Sequence, residues 1–530
     1  MADVSAVVIG AGVNGLVAAT ILARAGAQVQ VLEAADEIGG AGRTVSFGHG
    51  YRAPLGPDTL PAIASDILWA TGVDLTELRL RPAAHSLSVT EGGRILSRHA
   101  DRVEDARALA ALDRADADAM PVFEALLSRL AARIRPLLFA PLPDTATRAG
   151  VLTRPRQMEA ALGALEAQET ADCARLLVQS LRDRLDRSFR SDDLKGLIAG
   201  RALAGVGRGP YAPLTAAHLL RPWLGSGPCV PATGLMLDGG LKALAGALAR
   251  ALAEAGGSLR LSAPVRGLTL ANDRVTGAVL DSGEEIPADL LVSSLDPAVT
   301  LSLLVEAGAP AGDLLLDLVG EPAAGAPVRL AFGLDRRPGF ALLPERFRAR
   351  PGLLHLSQSM ASLEAAHDEA RAGQVPSRPW ADLCVSSDGD PGLAPAEGAV
   401  LTATLYPLPQ HLAEGPWDEA AREGLLDRIT AEIDALSPGF RNLVRARAIW
   451  GAGDWDTLIG AGTTGPYQGD LGLERLWSAR PLPELSQYRL PVRNGYLCGS
   501  GVHPGPLVLG APGYNAARRI LGDLRGLRAA

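Results

Sequence analysis

The chain has 530 residues, of which 47% are hydrophobic and 21% are charged, and its formal net charge is −8. This length allows two or three domain-sized cores, and the composition is that of a globular protein and not of a disordered one. Because the net charge is negative and no dense run of basic residues occurs, the sequence predicts that nucleic acid is not a partner.

The cysteines and the N-terminus place further limits on the class of protein. Cys173, Cys229, Cys384 and Cys498 are far apart and form no CxxC pair, which favours a reduced protein without a structural metal. The N-terminus lacks the basic region of a secretory signal, and no uninterrupted apolar run of about 20 residues is present. We therefore expect a cytoplasmic protein.

The first predicted element is a buried strand over residues 6–9 that leads directly into a glycine-rich turn. The turn, Gly10-Ala11-Gly12-Val13-Asn14-Gly15, has the GxGxxG spacing, and a helical pattern follows over residues 16–25. In a dinucleotide site the first glycine permits the tight turn, the second lets the pyrophosphate approach the backbone, and the third lets the helix pack against the strand. The helix N-terminus supplies free N–H groups to the phosphates. This unit therefore predicts a dinucleotide site.

A second strand over residues 29–32 ends at Glu33, which follows Gly10 by about the spacing expected of a carboxylate that binds ribose hydroxyls. A carboxylate at this point would repel a 2′-phosphate, so NADP is disfavoured. Another GxGxxG match, residues 460–465, is followed by a turn-like run instead of a helix. We interpret that second match as an ordinary loop.

The run after Glu33 reads AADEIGGAGRT over residues 34–44. Together with the GxGxxG turn it resembles the extended FAD fingerprint of the flavoprotein group that contains amine oxidases and carotenoid desaturases. A disulfide reductase would need a second complete dinucleotide unit and a redox cysteine pair, which this sequence lacks. The resemblance implies that FAD is the cofactor and that its ligands are Gly10, Ala11, Gly12, Asn14, Gly15, Glu33, Ala34, Gly40, Arg43 and Thr44.

Residues 100–225 are predicted to be mostly helical. Within them, the run 126–143 combines apolar residues with three arginines, so it is either a membrane-surface helix or an amphipathic helix that covers a core. His218 either lines the substrate cavity or is a structural histidine. Lys242 resembles the lysine that activates oxygen in some flavin oxidases, although its place early in a predicted surface helix favours a surface residue.

The middle of the chain resembles the return of this family's chain to its FAD domain. Residues 235–300 contain a glycine pair, an amphipathic helix and two strands, and they close on an S-x-D-P sequence at 294–297. The resemblance implies that Val265 contacts the adenine through its backbone. It is weakest over residues 335–390, where the run 364–380 is predicted to be a loop.

A second strand–turn–helix unit occupies residues 495–521. It resembles the segment that closes the flavin site in phytoene desaturases, with G-x-G-T-H-P-G matched at 499–505 and A-P-G-x-N-A-A at 511–517. The resemblance implies a helix N-terminus directed at the pyrimidine edge of the flavin. It also implies that Gly499, Pro512 and Gly513 contact FAD, and that His503 lies beside the flavin, where it acts in catalysis or shapes the turn.

As a whole, the chain resembles the phytoene desaturase-like FAD-dependent oxidoreductases. The resemblance is to the branch that includes pyridine nucleotide-disulphide oxidoreductase domain-containing protein 2 and the desaturase-type carotene ketolases. It implies an α/β fold with a Rossmann-like FAD-binding domain of the glutathione reductase and amine oxidase type, interleaved with an α+β substrate domain. The FAD-binding domain would comprise residues 1–75, 235–300 and 485–530, and the substrate domain would comprise residues 76–234 and 301–484.

The implied function is hydride transfer from an apolar or amphipathic organic substrate to flavin N5, with O2 or a quinone as electron acceptor and with peripheral membrane contact left open. Two alternatives remain, namely a reductase or isomerase that uses reduced flavin, and a non-catalytic binding protein such as the Rab GDP-dissociation inhibitors, which share this fold. Val502, Pro506 and Leu507 replace a threonine and glycines of the family motif. We therefore expect a reshaped cavity, which leaves the carotenoid class open.

Overall fold

The computed structural model describes residues 4–529 except 61, 91, 140–141, 143–155, 157–158, 160–162, 164, 226–231, 320–325, 349–351, 357–358, 452 and 463. Cys229, the end of the 126–143 run and Thr463 of the second GxGxxG match lie outside the described residues.

The secondary structure is numbered here in chain order. The strands are β1 (Ser5–Ile9), β2 (Gln28–Leu32), β3 (Thr44–Gly48), β4 (Tyr51–Pro54), β5 (Leu80–Pro82), β6 (His85–Val89), β7 (Ile95–His99), β8 (Leu235–Leu237), β9 (Ser258–Arg260), β10 (Val265–Ala271), β11 (Arg274–Leu280), β12 (Glu285–Pro287), β13 (Leu290–Ser293), β14 (Val328–Leu334), β15 (Leu353–Leu356), β16 (Trp380–Val385), β17 (Ala399–Tyr406), β18 (Val444–Trp450) and β19 (Gly495–Leu497). The α-helices are α1 (Val13–Arg24), α2 (Ser65–Thr71), α3 (Arg102–Leu112), α4 (Arg114–Phe139), α5 (Ala167–Val178), α6 (Leu181–Asp186), α7 (Asp192–Ala202), α8 (Gly240–Glu254), α9 (Pro297–Glu306), α10 (Gly312–Val319), α11 (Glu345–Arg348), α12 (Met360–Arg371), α13 (Glu419–Leu436), α14 (Phe440–Leu443), α15 (Asp454–Ile459) and α16 (Ala511–Ala529). Short 3₁₀ helices occur at Gly40–Gly42, Leu75–Glu77, Thr215–Trp223, Ser386–Asp388, Pro391–Leu393, Leu473–Arg475, Trp477–Ala479, Pro483–Leu485 and Gly505–Leu507.

A five-stranded sheet with the order β19-β13-β1-β2-β9 forms the centre of the first layer, and every pairing in it is parallel. Its central strands are apolar and buried along most of their length, as strands covered on both faces must be. Helices α1, α8 and α16 pack together beside it. All five strands lie within the three segments that the sequence assigns to the FAD-binding domain, and the predicted Rossmann-like α/β fold is confirmed.

A seven-stranded sheet with the order β18-β14-β17-β16-β15-β6-β7 forms the second layer. Its pairings are antiparallel except for β15 with β6. Helix α13 covers it with Leu425, Ile429 and Ile433, which join the apolar side chains of β14 and β17 in one core. Helices α3 to α7 and the 3₁₀ helix Thr215–Trp223 account for the predicted helical region.

The prediction of a loop over residues 364–380 is wrong. Helix α12 occupies its first half, and β16 begins at Trp380. The helix starts where the Ser359 side chain accepts a hydrogen bond from the backbone of Ser362, and it buries Leu363, Ala366 and His367 on one face. The charged residues between these positions made the segment resemble a polar loop, whereas the buried positions repeat at the helical period.

The run 126–143 forms the second half of α4 as far as it is described. Leu127, Leu130 and Ile134 are buried on the core side, and Arg129 on the other side donates to Glu169 at 2.7 Å. The described part therefore behaves as an amphipathic helix that covers a core. No helix in the described ranges combines the length and the apolar character that crossing a membrane requires.

Candidate functional site

The glycine-rich turn between β1 and α1 has three glycines with three different surroundings. Gly10 has φ +94°, and a Cβ on Gly15 would lie 2.1 Å from the carbonyl oxygen of Gly10, so these two glycines serve the turn and the close helix packing. A Cβ on Gly12 would meet a single neighbour, the Gly40 Cα at 3.8 Å. Gly12 therefore leaves open space at the start of α1, where a pyrophosphate would approach.

The run after Glu33 folds back onto this turn. Gly39 donates its N–H to the Ala11 carbonyl at 2.9 Å, and Gly40 has φ +54°. A Cβ on Gly40 would lie 3.2 Å from the Gly12 Cα, so the two glycine-rich segments are in close contact. The extended fingerprint is thus a single structural unit, which explains why it needs glycines at both places.

Glu33 joins the end of β2 to the turn through its carboxylate. Oε2 accepts from the Ala11 N–H at 2.7 Å, and Oε1 accepts from the Ala35 N–H at 3.0 Å. The side chain also lines the cavity described next. Its position is the one that a ribose-binding carboxylate requires, next to the turn that would receive the phosphates.

A cavity of about 740 Å³, called here the main cavity, extends from this turn into the second layer. Helices α4 and α7, the 3₁₀ helix Thr215–Trp223 and strands of the seven-stranded sheet form its far wall. The predicted cofactor ligands that line it are Gly10, Gly12, Asn14, Gly15, Glu33, Ala34, Gly40, Arg43 and Val265.

Five predicted ligands do not line the main cavity, namely Ala11, Thr44, Gly499, Pro512 and Gly513. Ala11 and Thr44 are buried at the edge of the site. Gly499 and Gly513 are glycines because neighbouring backbone is close: a Cβ would lie 2.5 Å from the Ser294 oxygen and 2.1 Å from the Asn14 oxygen, respectively. Gly513 thus packs the C-terminal unit against the first one, and Gly499 packs it against the loop after β13, while contact of Gly499, Pro512 and Gly513 with FAD stays a prediction.

The C-terminal unit reaches the cavity through other residues. Ser500 lines it and accepts a hydrogen bond from the Asn14 Nδ2 at 3.1 Å, and Leu507 and Leu509 also line it. Pro512 lies in the first turn of α16, whose start packs against the start of α1. The N-termini of the two helices are therefore adjacent.

His503 is not in the main cavity. Its ring is buried, stacks on Trp477 with 5.1 Å between ring centroids, and lines a second cavity of about 60 Å³, called here the side cavity. The His503 carbonyl accepts from the Tyr488 hydroxyl at 3.0 Å. This geometry supports the reading in which His503 shapes the turn and gives no support to a catalytic role.

Lys242, His218 and the second GxGxxG match occupy three different places. Lys242 forms an ion pair with Glu37, with 3.3 Å between Nζ and Oε2, and does not line the main cavity. His218 lines both cavities. The second GxGxxG match follows the helix α15 and not a strand, and Gly460 ends that helix with φ +60°. The described residues of the match after Gly460 form neither helix nor strand, which agrees with the predicted loop, and Gly460 itself borders the main cavity.

A buried ion pair in the cavity wall was missed by the sequence analysis. Arg329 Nη1 donates to Asp58 Oδ2 at 2.8 Å and to Thr404 Oγ1 at 2.6 Å, and both charged side chains are almost fully buried. Ser386 donates to the other oxygen of Asp58 at 2.7 Å. The sequence feature that indicates this ion pair is an arginine in the otherwise apolar strand β14.

A second polar group surrounds Asp382. Its carboxylate accepts from the Trp380 Nε1 at 2.6 Å and the Tyr406 hydroxyl at 3.1 Å, and it lies 2.6 Å from the His355 Nδ1. Burial alone would raise the pKa of Asp382, but His355, the hydrogen bond from Trp380 and the charge of Arg201 hold the pKa below its usual value. Asp382 also lines the main cavity, and so do Arg201, Arg221, Tyr406 and Tyr467.

The residues of the glycine-rich turn and Glu33 fit FAD. The open side of Gly12, the N–H groups that precede the first bond within α1 (Leu16 to Gly12, 2.9 Å) and the Glu33 carboxylate form one surface of the cavity. Among the described residues, no group of three His, Cys, Asp or Glu side chains could hold a metal ion.

Comparisons with known proteins agree with this geometry. A model of the flavin-containing amine oxidoreductases matches residues 14–521. Pyridine nucleotide-disulfide oxidoreductase domain-containing protein 2 of Rattus norvegicus is 31% identical over 552 residues, covering 99% of this chain and 94% of that protein. Phytoene dehydrogenase of Streptomyces griseus is 28% identical over 542 residues, covering 97% and 95%.

A solved structure shares the fold. The crystal structure of an oxidoreductase from Methanosarcina mazei superposes with a TM-score of 0.60 at 15% identity and covers 98% of this chain and 100% of that one.

Proposed function

Because this chain belongs to the family of flavin-containing amine oxidoreductases and is an FAD-dependent oxidoreductase, we propose that it dehydrogenates an amphipathic organic substrate. In the proposed reaction a hydride passes from the substrate to flavin N5, and O2 or a quinone receives the electrons. The observation that carries this proposal is that one cavity is lined both by the phosphate-binding turn and by residues of the second layer. Cofactor and substrate would therefore share one cavity.

FAD supplies the two-electron acceptor, and the protein supplies binding and orientation. The turn Gly10–Gly15 and Glu33 would hold the pyrophosphate and the ribose. Met120, Phe123 and Leu127 of α4 give the cavity an apolar wall, which favours an apolar substrate body and excludes water.

The polar side chains in the same cavity favour an amphipathic substrate over a purely apolar one. Asp382, Arg221 and Tyr467 all line it, and burying such groups against a hydrocarbon alone would cost free energy because their hydrogen bonds to water would be lost. Phytoene dehydrogenase, to judge from its name, acts on a hydrocarbon. We propose that this chain acts on a molecule that also carries polar atoms.

The test is an anaerobic titration of the FAD-loaded protein, followed by visible flavin absorbance. Bleaching by an amphipathic substrate in the absence of NADPH is the expected result, because the substrate itself is the proposed hydride donor. Bleaching by NADPH alone, with no response to any substrate, would contradict the proposal and indicate a reductase or isomerase.

A further inference from the structure

His218 and Arg221 lie on one face of the 3₁₀ helix Thr215–Trp223. In a 3₁₀ helix the side chains at positions i and i+3 eclipse each other, so these two residues project on the same side. Both line the main cavity and both line the side cavity. The helix therefore presents a basic and an imidazole side chain together at the boundary of the two cavities.

Arg221 carries a positive charge in this wall without a carboxylate to offset it. Its Nη1 donates to the carbonyl oxygens of Ala202 at 3.2 Å and Ala204 at 2.5 Å. No Asp or Glu forms an ion pair with it in the described part of the chain. Burial lowers the pKa of Arg221, but a guanidinium remains charged at neutral pH. Charges inside proteins are usually paired or fully hydrogen-bonded, and this partly buried guanidinium has only two carbonyl acceptors, both on Nη1, among its hydrogen bonds in the described part of the chain.

The fully buried arginines of this protein show how it usually satisfies a guanidinium group. Arg480 donates to four backbone carbonyls, those of Ser500, Asp470, Tyr467 and Gln468. Arg329 pairs with Asp58.

Arg98 also lines the main cavity, and it pairs with Asp105 and Glu124. Arg201 lies near Asp382, and its charge helps to lower the pKa of that carboxylate. Arg221 differs from all of these because it combines cavity exposure with a missing counter-charge.

His218 adds an unsatisfied nitrogen at the same place. The side chain is 3% exposed, and its Nε2 has no hydrogen-bond partner among the described residues. Burial and the charge of Arg221 lower the pKa of His218 to about 3, so the ring is neutral at physiological pH. Leaving such an atom unpaired is costly, and an oxygen of a ligand would relieve that cost.

We propose that Arg221 and His218 bind the anionic oxygens of the substrate, so that the substrate is an amphipathic carboxylate whose apolar body lies against α4. This inference rests on the proposed function and names the substrate class of the same cavity. Arg221 would supply the charge complement, and the neutral His218, protonated on Nε2, would donate the second hydrogen bond. The alternative ligand for these two side chains is an oxygen of the flavin itself.

The experiment compares octanoate with octanamide, which has a similar shape and no charge, as ligands of the FAD-loaded protein. Binding is measured by calorimetry at neutral pH, so that it does not depend on turnover. We expect the wild type to prefer octanoate by about 10- to 100-fold, because a charged hydrogen-bonded group is matched. Arg221→Gln should abolish this preference and leave octanamide affinity and FAD content unchanged. The exposed Arg187→Gln is the matched control and should retain the preference.

Three results would overturn the inference. The first is equal affinity of the wild type for both ligands, and the second is a preference that survives in Arg221→Gln. The third is loss of FAD from Arg221→Gln, which would assign the guanidinium to the flavin. If Arg221→Gln does not fold, His218→Leu serves instead and should lower the preference several-fold; an unchanged preference would contradict the assignment. Failure of substrates to bleach the flavin would refute the proposed function without altering these binding results.

Discussion

Replacing Glu33 with alanine should weaken FAD binding by a factor that follows from its hydrogen bonds. The carboxylate lines the main cavity and already accepts from the N–H groups of Ala11 and Ala35. Its remaining lone pairs can accept from two ribose hydroxyls, and hydrogen bonds to charged groups contribute about 1.5–3 kcal/mol each. Loss of both corresponds to about 10²- to 10⁴-fold in Kd. The assay is a calorimetric titration of the apoprotein with FAD.

Two variants make the Glu33 result interpretable. Glu33→Gln keeps one oxygen that can accept from the Ala11 N–H, so its loss of affinity should fall between those of the wild type and Glu33→Ala. Asp36→Ala removes an exposed carboxylate from the same segment and should leave the Kd unchanged. An unchanged Kd in Glu33→Ala would refute the placement of the ribose at this residue.

Three further predictions concern the rest of the site and the pH dependence of stability. Gly12→Val should abolish FAD binding while the protein still folds, because the added atoms enter open space and not backbone; a yellow purified variant would contradict this. His503→Ala should lower the melting temperature, since the stacking on Trp477 is lost, but should change kcat/KM by less than about threefold; a loss of several hundredfold would restore its catalytic assignment. Burial lowers the pKa of His367 to about 4 from 6.5. Between pH 6.5 and about pH 4 the unfolded chain therefore carries a proton on this ring that the folded chain lacks. As the pH falls through this range, the free energy of unfolding should decrease by about 1.4 kcal/mol per pH unit. His367→Gln should reduce that slope in denaturant titrations, and an identical slope would show that His367 is not buried as a neutral ring.

Local sequence patterns were sufficient to predict the glycine-rich turn and the acidic end of the second strand. Gly10, Gly12 and Glu33 are close in sequence, and each spacing reflects a turn, a helix start or a strand end that the structure reproduces. The C-terminal unit was also found, but its sequence did not show why it needs its glycines. At Gly499 and Gly513 neighbouring backbone is close, and a motif alone does not separate such packing from ligand contact.

The polar wall of the cavity could not be predicted because no local pattern encodes it. Arg221, Arg329 and Asp382 lie on a 3₁₀ helix and two strands that are distant in sequence, and they meet only when the two layers pack. Their burial decides their chemistry, and burial follows from tertiary packing. The sequence left an apolar and an amphipathic substrate open, and this polar wall is the reason for proposing the amphipathic one.

We propose that the two glycine-rich units, at opposite ends of the chain, together build one site for one FAD. The most direct test is the amount of FAD released from the purified, denatured protein, measured against the protein concentration. One FAD per chain is predicted, because the loop at residues 460–465 follows a helix and is not a second dinucleotide unit. Two FAD molecules per chain, or none after incubation with excess FAD, would contradict a single site shared by the two units.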